Sequence, residues 1–300
     1  MLQFNQTTRL VIDDVVVQYH IFNPSEPVMV TFPPVCQAIA KDANLDDAFV
    51  WGFDYFAKKH MNVIAFNHIG EGNYFDSPKL LAFIDDLAPQ LKQFPASIGY
   101  GASLGGFALG LLADRLQLSK ALLLMPQSTY CKQTAPWDPI VVNSVPSSRS
   151  DMATLDAKSC KTPLTIIYDP LSLQDKNHMD RFEQTLTKFK VYAVGHRIPR
   201  ALQHLGILND VILQFRKGDI DEDAFYRGIR GRRYLTYYYR DAYKKPTSSY
   251  TSKRLMVIYR HKATYRLKTV KFEPAKIADR LKTSVQKRIN KIRKIFNNDN

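Results

Sequence analysis

Ser103 lies in "SIGYGASLGGFALG" with Gly101 and Gly105 two residues to either side, an apolar run before it and a helix-like run after it. That context puts the hydroxyl on a sharp strand-to-helix turn. A serine hydroxyl is barely nucleophilic at neutral pH. It needs a base within hydrogen-bond reach, and the base needs an acid to fix its tautomer and balance the imidazolium. Both residue types follow downstream. "PLTIIYDPLSLQD" ends a strand-like run at Asp169, with Asp175 six residues later, and "KVYAVGHRIPR" puts His196 just past another strand, behind Gly195. His178 and His204 fall inside helix-like runs, so His196 is the preferred base. Asp169, at a strand end, is the preferred acid. Asp175 is the alternative, since an aspartate ahead of "DKNHMDRF" also reads as a helix N-cap. The non-catalytic reading has Asp169 as a turn residue before Pro170 and His196 as a polar loop residue.

The elements that must position these groups alternate along the chain. "LVIDDVVVQYHIF" reads as two strands, and "VMVTF", "MNVIAF", "ASIGYG", "KALLLM", "PLTIIYD" and "KVYAV" as further short apolar strands. Helix-like runs lie between them: "AFVWGFDYFAKKH", "SPKLLAFIDDLAPQL" with Ser77 as N-cap, "LGGFALGLLADRL", "DKNHMDRFEQTLTKF" and "RALQHLGILNDVILQF". Strands alternating with crossover helices predict an α/β fold with a mostly parallel sheet covered on both faces. In such sheets ligands bind beyond the carboxyl ends of the strands, where Ser103, Asp169 and His196 all fall. The N–H of Leu104, opening the helix after Ser103, is a candidate oxyanion donor.

Composition narrows the classes further. A chain of 300 residues that is 45% hydrophobic and 23% charged is globular rather than disordered and needs no disulfide or metal staple. Its apolar runs are far shorter than the roughly 20 residues that span a bilayer. "MLQFNQTTRLVIDD" lacks the basic and apolar regions of a secretory signal, and three widely spaced cysteines fit neither a disulfide framework nor a zinc site. These features predict a cytoplasmic protein. The absence of a P-loop, a G-x-G-x-x-G and a metal-ligand cluster predicts no cofactor.

With these residues assembled, the chain resembles the α/β-hydrolase superfamily over about residues 28–215. The resemblance rests on Gly101-Ala102-Ser103-Leu104-Gly105 as a nucleophile elbow, the order Ser103, Asp169, His196, and the glycine-bearing loop "NHIGEGNYF". It implies a serine esterase working through an acyl-Ser103 intermediate on a small ester or an acylated glycan. A weaker similarity, in "YGASLGGFALG" and "LLLMPQS", is to hydrolase-like proteins of bacterial surface-polysaccharide systems. It implies two alternatives: an acyltransferase to a sugar hydroxyl, or a catalytically inactive binding or scaffold protein. In the family the loop after the strand "VMVTF" often donates a second oxyanion N–H. Here it reads "PPVCQ", and Pro33 and Pro34 have no N–H, which leaves Val35 or Cys36. Residues 127–161 fall where the family inserts a cap or lid; Tyr130, Trp137 and the prolines there either wall a substrate site or belong to a surface loop.

Charge divides the chain. Residues 216–300 hold 24 Lys and Arg against 8 Asp and Glu, a net +16, whereas residues 1–215 hold 18 against 20, a net −2. The expected division is therefore an α/β-hydrolase-like domain over 1–215 and a basic, Tyr- and Arg-rich region over 216–300 with an amphipathic helix at about 273–296. The basic region either packs its apolar stripe on the body or a second subunit, or meets an anionic partner. The anionic candidates are a membrane surface, peripheral to its inner face, or a polymer; nucleic acid is disfavoured because no recognised motif is present.

Overall fold

In the computed structural model, residues 2–70, 72–144, 154–244 and 250–269 are described. The chain divides into two compact units, Met1–Thr247 and Ser248–Asn300.

In the first unit eight strands form one sheet: β1 (Thr7–Ile12), β2 (Val15–His20), β3 (Val28–Phe32), β4 (Asn62–His68), β5 (Ser97–Ala102), β6 (Lys120–Leu124), β7 (Leu164–Tyr168) and β8 (Thr187–Lys190). Their spatial order is β1-β2-β4-β3-β5-β6-β7-β8. β1 and β2 pair antiparallel, as do β2 and β4, and every pairing from β4 to β8 is parallel. Because the parallel strands are covered on both faces, their residues are apolar almost throughout, and alternation divides them between two cores. Val28, Val30, Phe32, Ile64 and Phe66 face one core with α2 (Pro78–Leu91) and α3 (Leu104–Leu112). Met29, Val63, Ala65, Ile98, Tyr100 and Ala102 face the other, with α1 (Phe53–Ala57), α6 (Ile198–His204) and α7 (Leu208–Lys217). The chain leaves β3 toward β4 and returns to place β5 on β3's other side, so the crevice at the carboxyl ends of β3 and β5 is the switch point where α/β sheets bind ligands.

Several helix boundaries depart from the sequence reading. α1 starts only after Gly52, whose φ of 85° sets a left-handed turn ahead of it. The run from Arg200 to Phe215 forms two helices, broken at Gly206 with φ 74°. The long run beginning at Asp175 yields only α5 (Leu173–Met179), and the following strand lies at Thr187–Lys190 rather than through Val194. Ser77 caps α2 as expected, its Oγ accepting from the Leu80 N–H at 3.2 Å.

The first unit also extends past residue 215. α8 (Glu222–Gly228) and the turns after it bring Phe225, Ile229 and Tyr237 into the α6/α7-side core, and α9 (Arg240–Lys244) follows. In the second unit the described element is α10 (Ser252–Thr269). The amphipathic helix expected at 273–296 lies outside the described residues. Among the described residues, no helix is long and apolar enough to cross a membrane.

Candidate active site

Ser103 sits between β5 and α3 with φ 52° and ψ −116°, a strained conformation for a residue bearing a side chain. The strain is held by close packing on both sides. A Cβ on Gly101 would lie 2.4 Å from the Gly105 carbonyl oxygen, and one on Gly105 would lie 2.0 Å from that of Phe32. Only glycine at both positions lets strand, turn and helix meet, and the Ser103 N–H is tied to the Leu124 carbonyl at 2.9 Å. The serine is buried.

His196, between β8 and α6, reaches Ser103 Oγ through Nε2 at 2.9 Å and Asp175 Oδ1 through Nδ1 at 2.7 Å. With the Nδ1–H donating to the carboxylate, Nε2 is left as the acceptor for the serine proton, which is the tautomer a general base requires. Burial pulls the imidazole's pKa down. The charge and hydrogen bond of Asp175, helped by the charge of Asp138, outweigh burial and the opposing Arg197, so the pKa stands above 6.5. Asp175 Oδ2 is buried without a hydrogen-bond partner among the described residues. An under-solvated carboxylate of this kind is balanced best by a proton on His196.

The acid is thus placed differently from the preferred sequence reading: Asp175, the alternative, meets His196. Asp169 does not, because its carboxylate is taken by backbone donors, Oδ2 accepting from the Gly195 N–H at 2.7 Å and Oδ1 from the Leu171 N–H at 2.9 Å. Burial pushes its pKa up to about 6 against those bonds. Asp169 therefore clamps the loop carrying His196. Nor is Asp175 the N-cap of α5. Ser172 fills that position, accepting from the Asp175 N–H, and this turns the Asp175 side chain into the protein.

The oxyanion donors expected from the sequence lie at converging element ends. Leu104 is the first residue of α3, so its N–H has no acceptor within the helix. The loop after β3 runs against the same helix start, since the Phe32 and Pro33 carbonyls both crowd Gly105. There Val35–Gln37 form a single 3₁₀ turn, in which the Gln37 N–H bonds the Pro34 carbonyl. Val35 and Cys36 therefore keep their N–H groups outside that bond.

Residues that sequence reasoning missed complete the surroundings. Gln127 is buried three residues past β6, with Oε1 3.2 Å from Ser103 Oγ, so it competes with His196 for the single hydroxyl proton. Its position after a strand end was a usable signal. Beside it, the Ser128 N–H donates to His178 Nδ1 at 3.1 Å, which leaves the proton of that ring on Nε2, 3.1 Å from Asp138 Oδ2. His178 and Asp175 share the buried side of α5, so this second, fully buried serine-histidine-aspartate set braces the helix that carries the acid. Burial raises the Asp138 pKa, but hydrogen bonds from His178 and the Ile140 N–H leave it below the ordinary value. Tyr130 packs against Tyr74 and Phe107 with its hydroxyl donating to Gln127 Oε1 at 3.4 Å, and Trp137 is half-buried with its ring 6.0 Å from that of His178. Of the expected cap segment, α4 (Pro139–Ser144) is described and residues 145–153 lie outside the described residues.

The segment beyond residue 215 also reaches the histidine loop. The Tyr239 N–H donates to the Ala193 carbonyl at 2.8 Å, and Asp241 pairs with Arg197 at 2.7 Å.

No known family matches the sequence, and neither does any curated protein. Solved structures do. The capsule O-acetyltransferase of Neisseria meningitidis serogroup A superposes with a TM-score of 0.50 at 13% identity, covering 72% of this chain and 97% of that one. A sugar hydrolase from Lactococcus lactis gives 0.48 at 11% identity, covering 76% of this chain and 100% of that one. An α/β serine hydrolase homologue from Coxiella burnetii gives 0.41 at 12% identity, covering 70% and 99%. The fold is α/β-hydrolase-like. At these identities the likeness is one of architecture.

Proposed function

We propose that the protein is a serine acyl-transfer enzyme that forms an acyl-Ser103 intermediate. The observation that carries this reading is the continuous relay from Ser103 Oγ to His196 Nε2 at 2.9 Å and from His196 Nδ1 to Asp175 at 2.7 Å. Ser103 Oγ attacks the ester carbonyl while its proton passes to His196 Nε2, and Asp175 balances the imidazolium. The Leu104 N–H, with the N–H of Val35 or Cys36, holds the tetrahedral oxyanion. His196 returns the proton to the departing alcohol. A second hydroxyl compound then gives its proton to His196 and attacks the acyl-serine, releasing the acyl product and restoring Ser103.

Water as that second compound makes the protein an esterase. The similarity in fold to a capsule O-acetyltransferase motivates the other reading, in which a sugar hydroxyl of a glycan is the acceptor. The chemistry at Ser103 is common to both. Pro33 and Pro34, which have no N–H to give, favour the inactive-scaffold reading; the aligned relay weighs against it.

The test is labelling with a fluorophosphonate probe, which reacts only with an activated serine. Stoichiometric labelling of the wild type, lost in Ser103→Ala and His196→Ala, is expected. A folded wild type that takes no label overturns the proposal.

A further inference from the structure

We propose that α10 is a membrane-surface helix, binding the anionic headgroups of a phospholipid bilayer while its exposed apolar seam enters the interface. The helix carries six Lys or Arg residues over Ser252–Thr269 and no Asp or Glu. Met256, Tyr259, Ala263 and Leu267 follow one another at spacings of three and four residues, which puts them on one helix face. That face is open to solvent: Met256 is 72%, Tyr259 50% and Leu267 81% exposed, and Ala263 is exposed as well. Ile258, on the opposite side of the helix, is only 1% exposed.

The cations are arranged around this seam. Helical spacing sets Lys253 and Arg260 along one flank and Lys262 and Arg266 along the other. An apolar line bordered on both sides by basic residues suits an interface whose outer layer is anionic and whose inner layer is acyl chain. It suits a polynucleotide less well, because the phosphate backbone uses the cations and leaves Met256 and Leu267 in water. A second copy of this helix is equally basic, so charge opposes self-pairing along the same face. Residues 248–300, the second unit, hold 15 Lys and Arg against 3 Asp and Glu, a net +12 that favours the same anionic surface.

The experiment is co-sedimentation of the full-length chain with vesicles of phosphatidylcholine alone and with vesicles containing about one third phosphatidylserine, near 0.15 M and near 1 M salt. Two paired variants go alongside, Lys253→Gln with Arg260→Gln and Met256→Ser with Leu267→Ser. Fluorophosphonate labelling and circular dichroism report the fold of each.

The wild type is expected to bind the phosphatidylserine vesicles and to release at high salt. The charge pair should weaken binding about 25-fold, at about fivefold per cation. The apolar pair should weaken it about tenfold or more per residue. The proposal is overturned if the wild type ignores phosphatidylserine or if both folded variants bind as it does. It is overturned equally if the helix instead drives a concentration-dependent dimer, or if it holds a single-stranded oligonucleotide with no loss in the Met256→Ser, Leu267→Ser variant.

Discussion

Replacing the two aspartates separately by asparagine distinguishes the acid from the clamp. Asp175→Asn keeps the shape but removes the charge 2.7 Å from His196 Nδ1 in a buried site. Two unit charges about 4 Å apart at an effective dielectric of about 20 interact by about 4 kcal/mol, and the amide also disturbs the tautomer. A loss of about 10⁴ in kcat follows, as for comparable triads. Asp169→Asn keeps one carbonyl-type acceptor for the Gly195 or Leu171 N–H and forfeits the other. One lost buried bond costs about 1–3 kcal/mol, which limits the kinetic damage through a displaced His196 to about 10–100-fold. The assay is steady-state hydrolysis of an aryl acetate, with each variant's folded fraction measured by near-ultraviolet circular dichroism. Asp175→Asn should be at least about a hundred times slower than Asp169→Asn. Equal losses, or a greater loss in Asp169→Asn, refute the assignment.

Other consequences concern pH and stability. Since the His196 pKa stands above 6.5 through Asp175, the limb of kcat/KM that rises with pH should lie above 6.5 in the wild type. It should move down in Asp175→Asn, where burial acts without the carboxylate charge; a limb unmoved by the substitution counts against the pairing. His68, at the end of β4, is buried, and burial lowers its pKa to about 4, the Val35 backbone opposing. Its unfolded form takes up a proton below about 6.5 while the folded form does so only near 4. Stability should therefore fall by about 3 kcal/mol as pH drops across that window. Urea unfolding of His68→Leu should remove that part of the slope, and an unchanged slope contradicts the cause. Asp169 has the opposite sign: with its pKa raised from 3.8 to about 6, its contribution is present below about 4 and lost as pH rises through 6. The stability of Asp169→Asn relative to wild type should accordingly improve between pH 4 and 7 by about 3 kcal/mol, and a difference constant with pH argues against it. Asp138→Ala leaves the His178 Nε2–H without its buried acceptor and should cost about 1–3 kcal/mol by urea unfolding. A loss under about 1 kcal/mol would remove His178 and Asp138 as the brace of α5.

The parallel sheet and the turn at Ser103 were legible because each has a local signature, apolar runs in one case and Gly101 and Gly105 in the other; His196 was picked out behind Gly195, although β8 ends at Lys190 and not next to it. The acid was not. Choosing between Asp169 and Asp175 depends on whether α5 begins at Ser172 or at Asp175, a shift of three residues that turns the Asp175 side chain outward as a cap or inward toward His196. Sequence periodicity does not resolve such a shift, and both residues follow the same strand. The Ser128, His178, Asp138 set and Gln127 were hidden for a different reason. Their contacts join segments 24 to 50 residues apart, through a loop with no regular period. The stretch from Arg216 to Lys244 read as tail because its charge is conspicuous, yet Phe225, Ile229 and Tyr237 are core residues and Asp241 pairs with Arg197 beside His196.

The central claim is that Ser103 carries the acyl group. Acid quenching during the pre-steady-state burst with an aryl acetate, followed by peptide mass spectrometry, tests it directly. One acetyl group is expected on the peptide containing Ser103, formed with the burst of phenol and absent in Ser103→Ala. Turnover without an adduct on that peptide, or a Ser103→Ala protein that turns over like the wild type, would contradict it.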